Sequence, residues 1–256
     1  MEKENTHIEV KHLRMAYNNF EVMKDISFKV KRGEIFFVVG GSGCGKTTLL
    51  RHMIGLLVPT RGDILYEGKS LIFGTDEEKE DILTKFGVLY QAGALWTSMT
   101  LLENIALPLE QHTSLSESEI REIASVKLSL VGLRGFEDFY PAELSGGMRK
   151  RAGLARAMAL DPEILFFDEP SSGLDPVNAK RLDDLIVLLR DSLGTTVVVV
   201  SHDLTSIMGI ADRLIYLDAE AKSIVAEGTP KDLARNSEDP RVVEFFTRGE
   251  STKWKS

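Results

Sequence analysis

Gly40-Gly41-Ser42-Gly43-Cys44-Gly45-Lys46-Thr47 carries the spacing G-x-x-x-x-G-K-[ST], and that spacing can cradle a chain of phosphates. Glycines let the backbone curl until successive amides and a helix N-terminus point at one anion. Lys46 adds a point charge for the terminal phosphates, the Thr47 hydroxyl is a ligand type for Mg²⁺, and Thr48 follows at the same helix start. A glycine-rich turn could match by accident in roughly one per cent of chains this long. Here, however, the segment lies between the apolar run Ile35 to Val39 and a helical pattern, the context the chemistry requires. Cys44 sits among phosphate-facing amides, which could lower its pKa, but it is expected to be simply a small residue the loop tolerates.

Two further segments bear charge or anion-binding groups. Ile164 to Phe167 is an apolar run ending in Asp168 and Glu169, an arrangement that presents carboxylates at the carboxyl edge of a sheet. Asp168 is placed to hold a metal, and Glu169 to orient or deprotonate an attacking water, a role worth about 10²- to 10⁴-fold in rate. Leu144-Ser145-Gly146-Gly147-Met148 opens another helix, so the Ser145 hydroxyl and the Gly146 and Gly147 amides make a second anion-binding end. One nucleotide does not need two such ends in one chain. Arg149, Lys150, Arg151 and Arg156 follow on the same helix and are expected to be solvated or paired with carboxylates.

The elements that must carry these residues alternate between short β-rich runs and helix-length amphipathic segments, the pattern of a mainly parallel sheet covered by helices. Strands are predicted at Ile8 to Arg14, Ile26 to Val30, Ile35 to Val39, Asp63 to Tyr66, Gly87 to Tyr90, Ile164 to Asp168, Thr196 to Val200, Arg213 to Leu217 and Ser223 to Glu227. Ile35 to Val39, Ile164 to Phe167 and Val197 to Val200 are continuously apolar, as in strands buried on both faces. Thr75 with Glu78 and Ser116 with Glu119 mark helix starts, and Asp161-Pro162 marks the end of the helix after Gly147. No β-rich run lies between Ala92 and Leu160, so this stretch reads as a mostly helical insertion. Asn236 to Asp239 reads as a linker to a short helix, Pro240 to Thr247.

Composition narrows the classes. The 256 residues, 43% hydrophobic and 27% charged, describe a globular chain of about one and a half average domains, or one large α/β domain carrying an insertion. Thirty-one Lys plus Arg against 39 Asp plus Glu, a net charge of −8, argues against a nucleic-acid partner. The longest apolar runs without glycine, Ile35 to Val39 and Leu185 to Leu189, fall far short of the about 20 residues that cross a bilayer. Met1 to Asn5 shows no secretory signal, and Cys44 as the only cysteine allows no internal disulfide.

Taken in order and spacing, these segments resemble the ATP-binding subunits of ABC transporters over nearly the whole chain. The resemblance implies a P-loop NTPase fold with an N-terminal antiparallel β subdomain and a helical subdomain inserted at about 92–160. An ATPase domain would span 1–238, and a short helix and tail 239–256. It further implies that Tyr17 stacks on adenine, that Gln91 senses Mg²⁺ and the attacking water, that Asp168 and Thr47 serve the metal, and that His202 contacts the γ-phosphate. Ser172-Gly173-Leu174-Asp175 resembles the D-loop, with Asp175 on the nucleotide side, and the Ser145 signature faces ATP held by a second copy. Met148, where glutamine is usual, and Ser171-Ser172 depart from the commonest pattern, but neither removes a charge. Because Lys46, Asp168, Glu169 and His202 are all present, a degenerate site is disfavoured.

The segments Gln91 to Thr100, Glu103 to Leu109 with His112-Thr113, Leu144 to Met148 with its methionine, and Asp239 to Val242 resemble the ATPases of Mla-type phospholipid transport systems, which work with MCE proteins. That resemblance implies a site on the cytoplasmic face of a Gram-negative inner membrane, held there by a dimeric permease. The other expected members are a second copy of the chain and an MCE lipid-binding protein, with a small STAS-domain protein as a further candidate. It also implies that the segment around Trp96 and Met99 docks a permease helix and that the terminal helix reaches toward the second copy. Another cargo, or a non-transport ABC protein, are the competing readings; the single phosphate loop disfavours the latter.

Overall fold

The computed structural model describes residues 5–17 and 20–247. Met1 to Glu4 and the tail beyond Thr247, both subjects of expectations above, lie outside the described residues. In chain order the elements are β1 (Thr6–Tyr17), β2 (Phe20–Lys31), β3 (Ile35–Gly40), α1 (Lys46–Met53), β4 (Arg61–Tyr66), β5 (Lys69–Ser70), α2 (Asp76–Thr84), β6 (Phe86–Leu89), α3 (Leu101–His112) and α4 (Glu117–Leu130). They continue with α5 (Gly146–Ala157), β7 (Ile164–Asp168), α6 (Pro176–Leu193), β8 (Thr196–Val200), α7 (Leu204–Ile210), β9 (Arg213–Asp218), β10 (Ser223–Gly228), α8 (Pro230–Asn236) and α9 (Pro240–Thr247). All nine predicted strands are present. The additional one, β5, is two residues long and too short to carry a pattern. The chain divides into two compact units, Met1–Glu78 with Val200–Ser256, and Lys79–Val199.

In the first unit, β1 pairs antiparallel with β2 on one side and β4 on the other, giving the order β2-β1-β4-β5. Ile8, Leu13, Met15, Met23 and Ile26 are buried, so these strands present one apolar face, as antiparallel sheets do. This is the expected antiparallel β subdomain. Beside it, β3 runs parallel to β9, and β9 antiparallel to β10. Phe28 stacks on Phe36 with ring centroids 5.5 Å apart, and the Arg213 guanidinium lies 5.0 Å from the Phe36 centroid. Glu34 grips Arg213 through two hydrogen bonds, 2.8 and 3.0 Å; a carboxylate this buried needs such a partner.

In the second unit, β6 runs parallel to β7, with Phe86 opposite Ile164 and Leu89 opposite Phe167, and β8 follows β7 in strand order. All residues of β3, β7 and β8 are buried, as their continuous apolar runs predicted. Among the described residues no strand falls between β6 and β7, and α3, α4 and α5 fill the interval. At the end of the first unit's leading segment the Thr75 box forms, with the Thr75 amide donating to Glu78 at 2.9 Å and the Glu78 amide to Thr75 Oγ1 at 3.2 Å. At Ser116 both the amide and the hydroxyl donate to the Glu119 carboxylate, at 2.8 and 2.5 Å.

Helix ends differ from expectation in two places. Helix α5 stops at Ala157, ahead of Asp161. Its last turn tightens, with the Ala159 amide donating to Arg156 O and the Asp161 amide to Met158 O. Asp161, the residue before Pro162, lies outside the right-handed α region that the proline disfavours there, at φ 49°. Asn236 ends α8 instead of opening a linker, and the helix Pro240 to Thr247 has the predicted bounds.

Candidate functional site

The first unit holds the phosphate loop. β3 ends at Gly40, whose φ is 145° and where a Cβ would lie 2.3 Å from Leu217 O and 2.7 Å from Cys44 Sγ; only glycine fits between the strand edge and its own loop. Gly45, φ 99°, then serves as the N-cap of α1 and brings no side chain to it, the arrangement that offers a helix N-terminus to an anion. Lys46 Nζ donates to Gly40 O at 2.9 Å and Gly41 O at 3.0 Å, which holds its ammonium inside the curl of the loop. Ser42 and Gly43 are exposed on the rim, and Thr47 and Thr48 are half-buried in the first turn of α1. The Tyr17 hydroxyl lies 3.5 Å from Thr48 Oγ1 with its ring largely exposed. The Ser201 amide donates to Val38 O at 3.3 Å, which sets the exposed His202 next along the chain from a residue bonded to the strand that feeds the loop. Burial pushes the Cys44 thiol up and the charge of Lys46 only partly opposes this, in keeping with the reading of Cys44 as a small tolerated residue and not with the alternative of a lowered pKa.

Behind the loop lies a cavity of about 270 Å³, lined among others by Gly41, Cys44, Tyr216, Asp218, Arg241 and Phe245. Helix α9 forms one wall. Val242 is fully buried, Phe245 meets Tyr216 edge to face at 5.4 Å, and Arg241 donates to Asp218 at 2.8 Å and to Asp239 at 2.9 Å. As far as Thr247, then, the terminal helix packs on its own chain.

The second unit gathers the other group. Gln91 follows β6, and its Nε2 donates to Ser172 Oγ at 3.2 Å. Asp168, 8% exposed, closes β7, and Glu169 follows with φ 49°, its Oε2 shielded from solvent. Ser145 is the N-cap of α5 and accepts from the Met148 amide at 3.3 Å. Asp175 acts locally, because its carboxylate accepts from the Val177 and Asn178 amides at 3.0 and 3.1 Å and caps α6. Hydrogen bonds from Asn178 and Val177 hold its pKa down.

The basic residues of α5 correct the expectation of a solvated or carboxylate-paired face. Arg149 donates to Leu144 O at 2.6 Å, Arg151 to Val131 O at 2.9 Å and Arg156 to Ala94 O at 2.6 Å. Lys150, 6% exposed, donates to Glu169 O, Pro170 O and Ser172 O. Main-chain carbonyls of the unit are their partners. One sequence signal points this way: Lys150 stands three and four residues from Gly147, Gly153 and Leu154, on the face the helix buries.

The ABC transporter family profile matches residues 23–172, which takes in the phosphate loop, the signature and both carboxylates. The chain belongs to the ABC transporter family. This ABC ATPase is 43% identical to the "Intermembrane phospholipid transport system ATP-binding protein MlaF" of Haemophilus influenzae over 95% of this chain and 91% of that one. It is also 43% identical to the "Probable ribonucleotide transport ATP-binding protein mkl" of Mycobacterium leprae, over 93% of this chain and 68% of that one. Among solved structures, a dimeric ATP-binding cassette in a post-hydrolysis state with ADP and Pi bound superposes with a TM-score of 0.80 at 30% identity, covering 87% of this chain and 98% of that one. The fold is therefore that of a P-loop ABC ATPase, and the chain binds and hydrolyses ATP. Thr47 in the first unit carries a hydroxyl, and Gln91 and Asp168 in the second carry an amide oxygen and a carboxylate, each an oxygen donor of a type that can ligate Mg²⁺. Among the described residues no helix is long and apolar enough to cross a membrane.

Proposed function

We propose that this ATPase drives a transporter that moves phospholipid between the membranes of a Gram-negative envelope, working as two copies that close over two ATP molecules. The phosphates lie along Gly40 to Thr47 with Lys46 at the β- and γ-phosphates, Thr48 beside them and Tyr17 on the adenine. Ser145, Gly146, Gly147 and Asp175 of the opposite copy complete each site. Glu169 takes a proton from water as its oxygen bonds the γ-phosphorus and the bridging P–O bond to ADP breaks. Gln91 orients that water and His202 donates to a γ-phosphate oxygen. Thr47, Asp168 and Gln91 would hold Mg²⁺, which when bound neutralises phosphate charge. Hydrolysis removes the anion that bridges the copies and lets them part, and this difference between open and closed states is what can move a permease.

The permease would dock at the loop after Gln91. Trp96 is 58% exposed there, yet the loop is braced, since Asn104 accepts from the Trp96 amide at 2.7 Å and donates to Trp96 O, Met99 O and Thr100 O. A dimeric permease, an MCE lipid-binding protein and a STAS-domain protein are the proposed partners, with the ATPase peripheral on the cytoplasmic face of the inner membrane. The observation that carries the cargo is the near end-to-end match to the MlaF relative. The equal identity to a relative named for ribonucleotide transport supports a second reading. Reconstituting the ATPase with its permease in vesicles that hold labelled phospholipid and labelled ribonucleotide decides between them: ATP-dependent movement of lipid supports the first, of ribonucleotide the second. For the chemistry, Glu169→Gln is expected to bind ATP and pair, yet turn over at least about 10²-fold more slowly; near-normal turnover refutes the base assignment.

A further inference from the structure

Glu169 adopts φ 49°, a left-handed conformation unfavourable for any residue with a Cβ and kept only where its surroundings hold the backbone. Within the turn the Ser172 amide donates to Glu169 O at 3.2 Å, and a further donor comes from another element. Lys150, in the second turn of α5, brings its ammonium to Glu169 O at 3.3 Å, Pro170 O at 2.7 Å and Ser172 O at 2.5 Å. An ammonium has three N–H donors, and this single turn of chain takes all three. A cation that is only 6% exposed is tolerated when it is so bonded. Burial lowers its pKa and the charge of Glu169 partly opposes this, so the carboxylate and the ammonium sense each other as well. The turn that Lys150 grips also bears Ser172, whose hydroxyl receives Gln91 Nε2 at 3.2 Å. One side chain therefore spans from the helix headed by Ser145 to the backbone of Glu169 and to the bonding partner of Gln91.

We propose that Lys150 is a positioning residue for hydrolysis, fixing the direction of Glu169 and the Ser172 turn relative to the signature helix. This rests on the reading of Glu169 as the base. It acts through main-chain carbonyls and leaves the phosphate loop untouched, so its loss falls on turnover and spares ATP affinity.

The test measures ATPase kinetics, ATP-binding stoichiometry and thermal unfolding on the full chain for Lys150→Met and Lys150→Gln, each alone and combined with Glu169→Gln. Lys150→Met is expected to lower kcat per ATP-binding site at least about tenfold with KM for ATP within about threefold of the parent. Lys150→Gln, with two N–H donors left, is expected to recover part of the loss. Added to Glu169→Gln, Lys150→Met is expected to change residual turnover less than about twofold, because both act on one group. A parental kcat per binding site in Lys150→Met, even with a lowered melting temperature, overturns the proposal, as does a loss that multiplies in full with that of Glu169→Gln. Should Lys150→Met not fold, the same comparisons are read from Lys150→Gln. Normal turnover in Glu169→Gln alone instead overturns the base assignment, and Lys150 is then judged on its single-variant kcat.

Discussion

The phosphate loop of the first unit and the Glu169 turn of the second both hold residues at positive φ, by different means. The loop is self-contained. Gly40 and Gly45 have φ of 145° and 99°, which glycine adopts without strain, and Lys46 bonds carbonyls only five and six residues away. The Glu169 turn places a residue with a Cβ in a left-handed conformation and has it held by Lys150, 19 residues earlier in sequence. Conformation in the first is intrinsic to its residues; the second adds the grip of a neighbour to its own Ser172 amide bond to Glu169 O. Changes at the loop should therefore abolish chemistry locally, whereas changes around the turn should act through packing.

The largest expected effect is at the loop. Lys46→Ala removes the charge proposed to face the terminal phosphates and should lower turnover by about 10²-fold or more, with little change in melting temperature because its ammonium bonds Gly40 O and Gly41 O of its own loop. Mixed with Ser145→Arg, it should form hybrid pairs that keep one intact composite site and recover turnover. Hybrids no better than either variant alone would argue against sites shared between copies.

A smaller effect, of the other kind, is expected where α5 meets the loop after Gln91. A Cβ at Gly153 would lie 2.8 Å from Gly93 O and 3.0 Å from Gly93 Cα, both backbone atoms with little room to give. Gly153→Val should cost about 1–3 kcal/mol of stability by overpacking, visible as a lowered melting temperature, and should slow turnover only in proportion to the displacement of Gln91. Loss of turnover beyond about 10²-fold with unchanged stability would show that the loop after Gln91 is not merely packed by α5.

What is legible in the sequence follows the same division. The phosphate loop, the buried strands and the Thr75 cap are legible because their information lies in adjacent residues or in one period. Asp175 is legible as a D-loop residue, but its use as the α6 cap needs the chain direction after Leu174. A lysine among arginines reads as solvent-facing until the opposing carbonyls are known, and those of Lys150 come from a segment 19 to 22 residues away. The seat of α9 is hidden for the same reason, since Asp218 is 23 residues from Arg241.

The smallest expected effect concerns that seat, where the loop is approached from behind. Arg241 holds the Asp239 carboxyl down to about 2, below its ordinary value near 3.9. A depressed carboxyl stabilises above its ordinary pKa and loses that contribution as pH falls toward its folded value, so the window here is about pH 4 to 2. Hydrogen-exchange protection of α9 should begin to drop below about pH 4, with no such step in Asp239→Asn. At neutral pH, Arg241→Ala should leave hydrolysis nearly unchanged and raise the alkylation rate of Cys44, the only thiol in the chain, by about 1.5- to 5-fold, the scale of one exposed pair. Because Cys44 and Arg241 line the same cavity, an unchanged alkylation rate would mean that α9 does not cover the loop. A fall in ATP affinity with it would mean that the loop, however complete its own backbone, also leans on a neighbour.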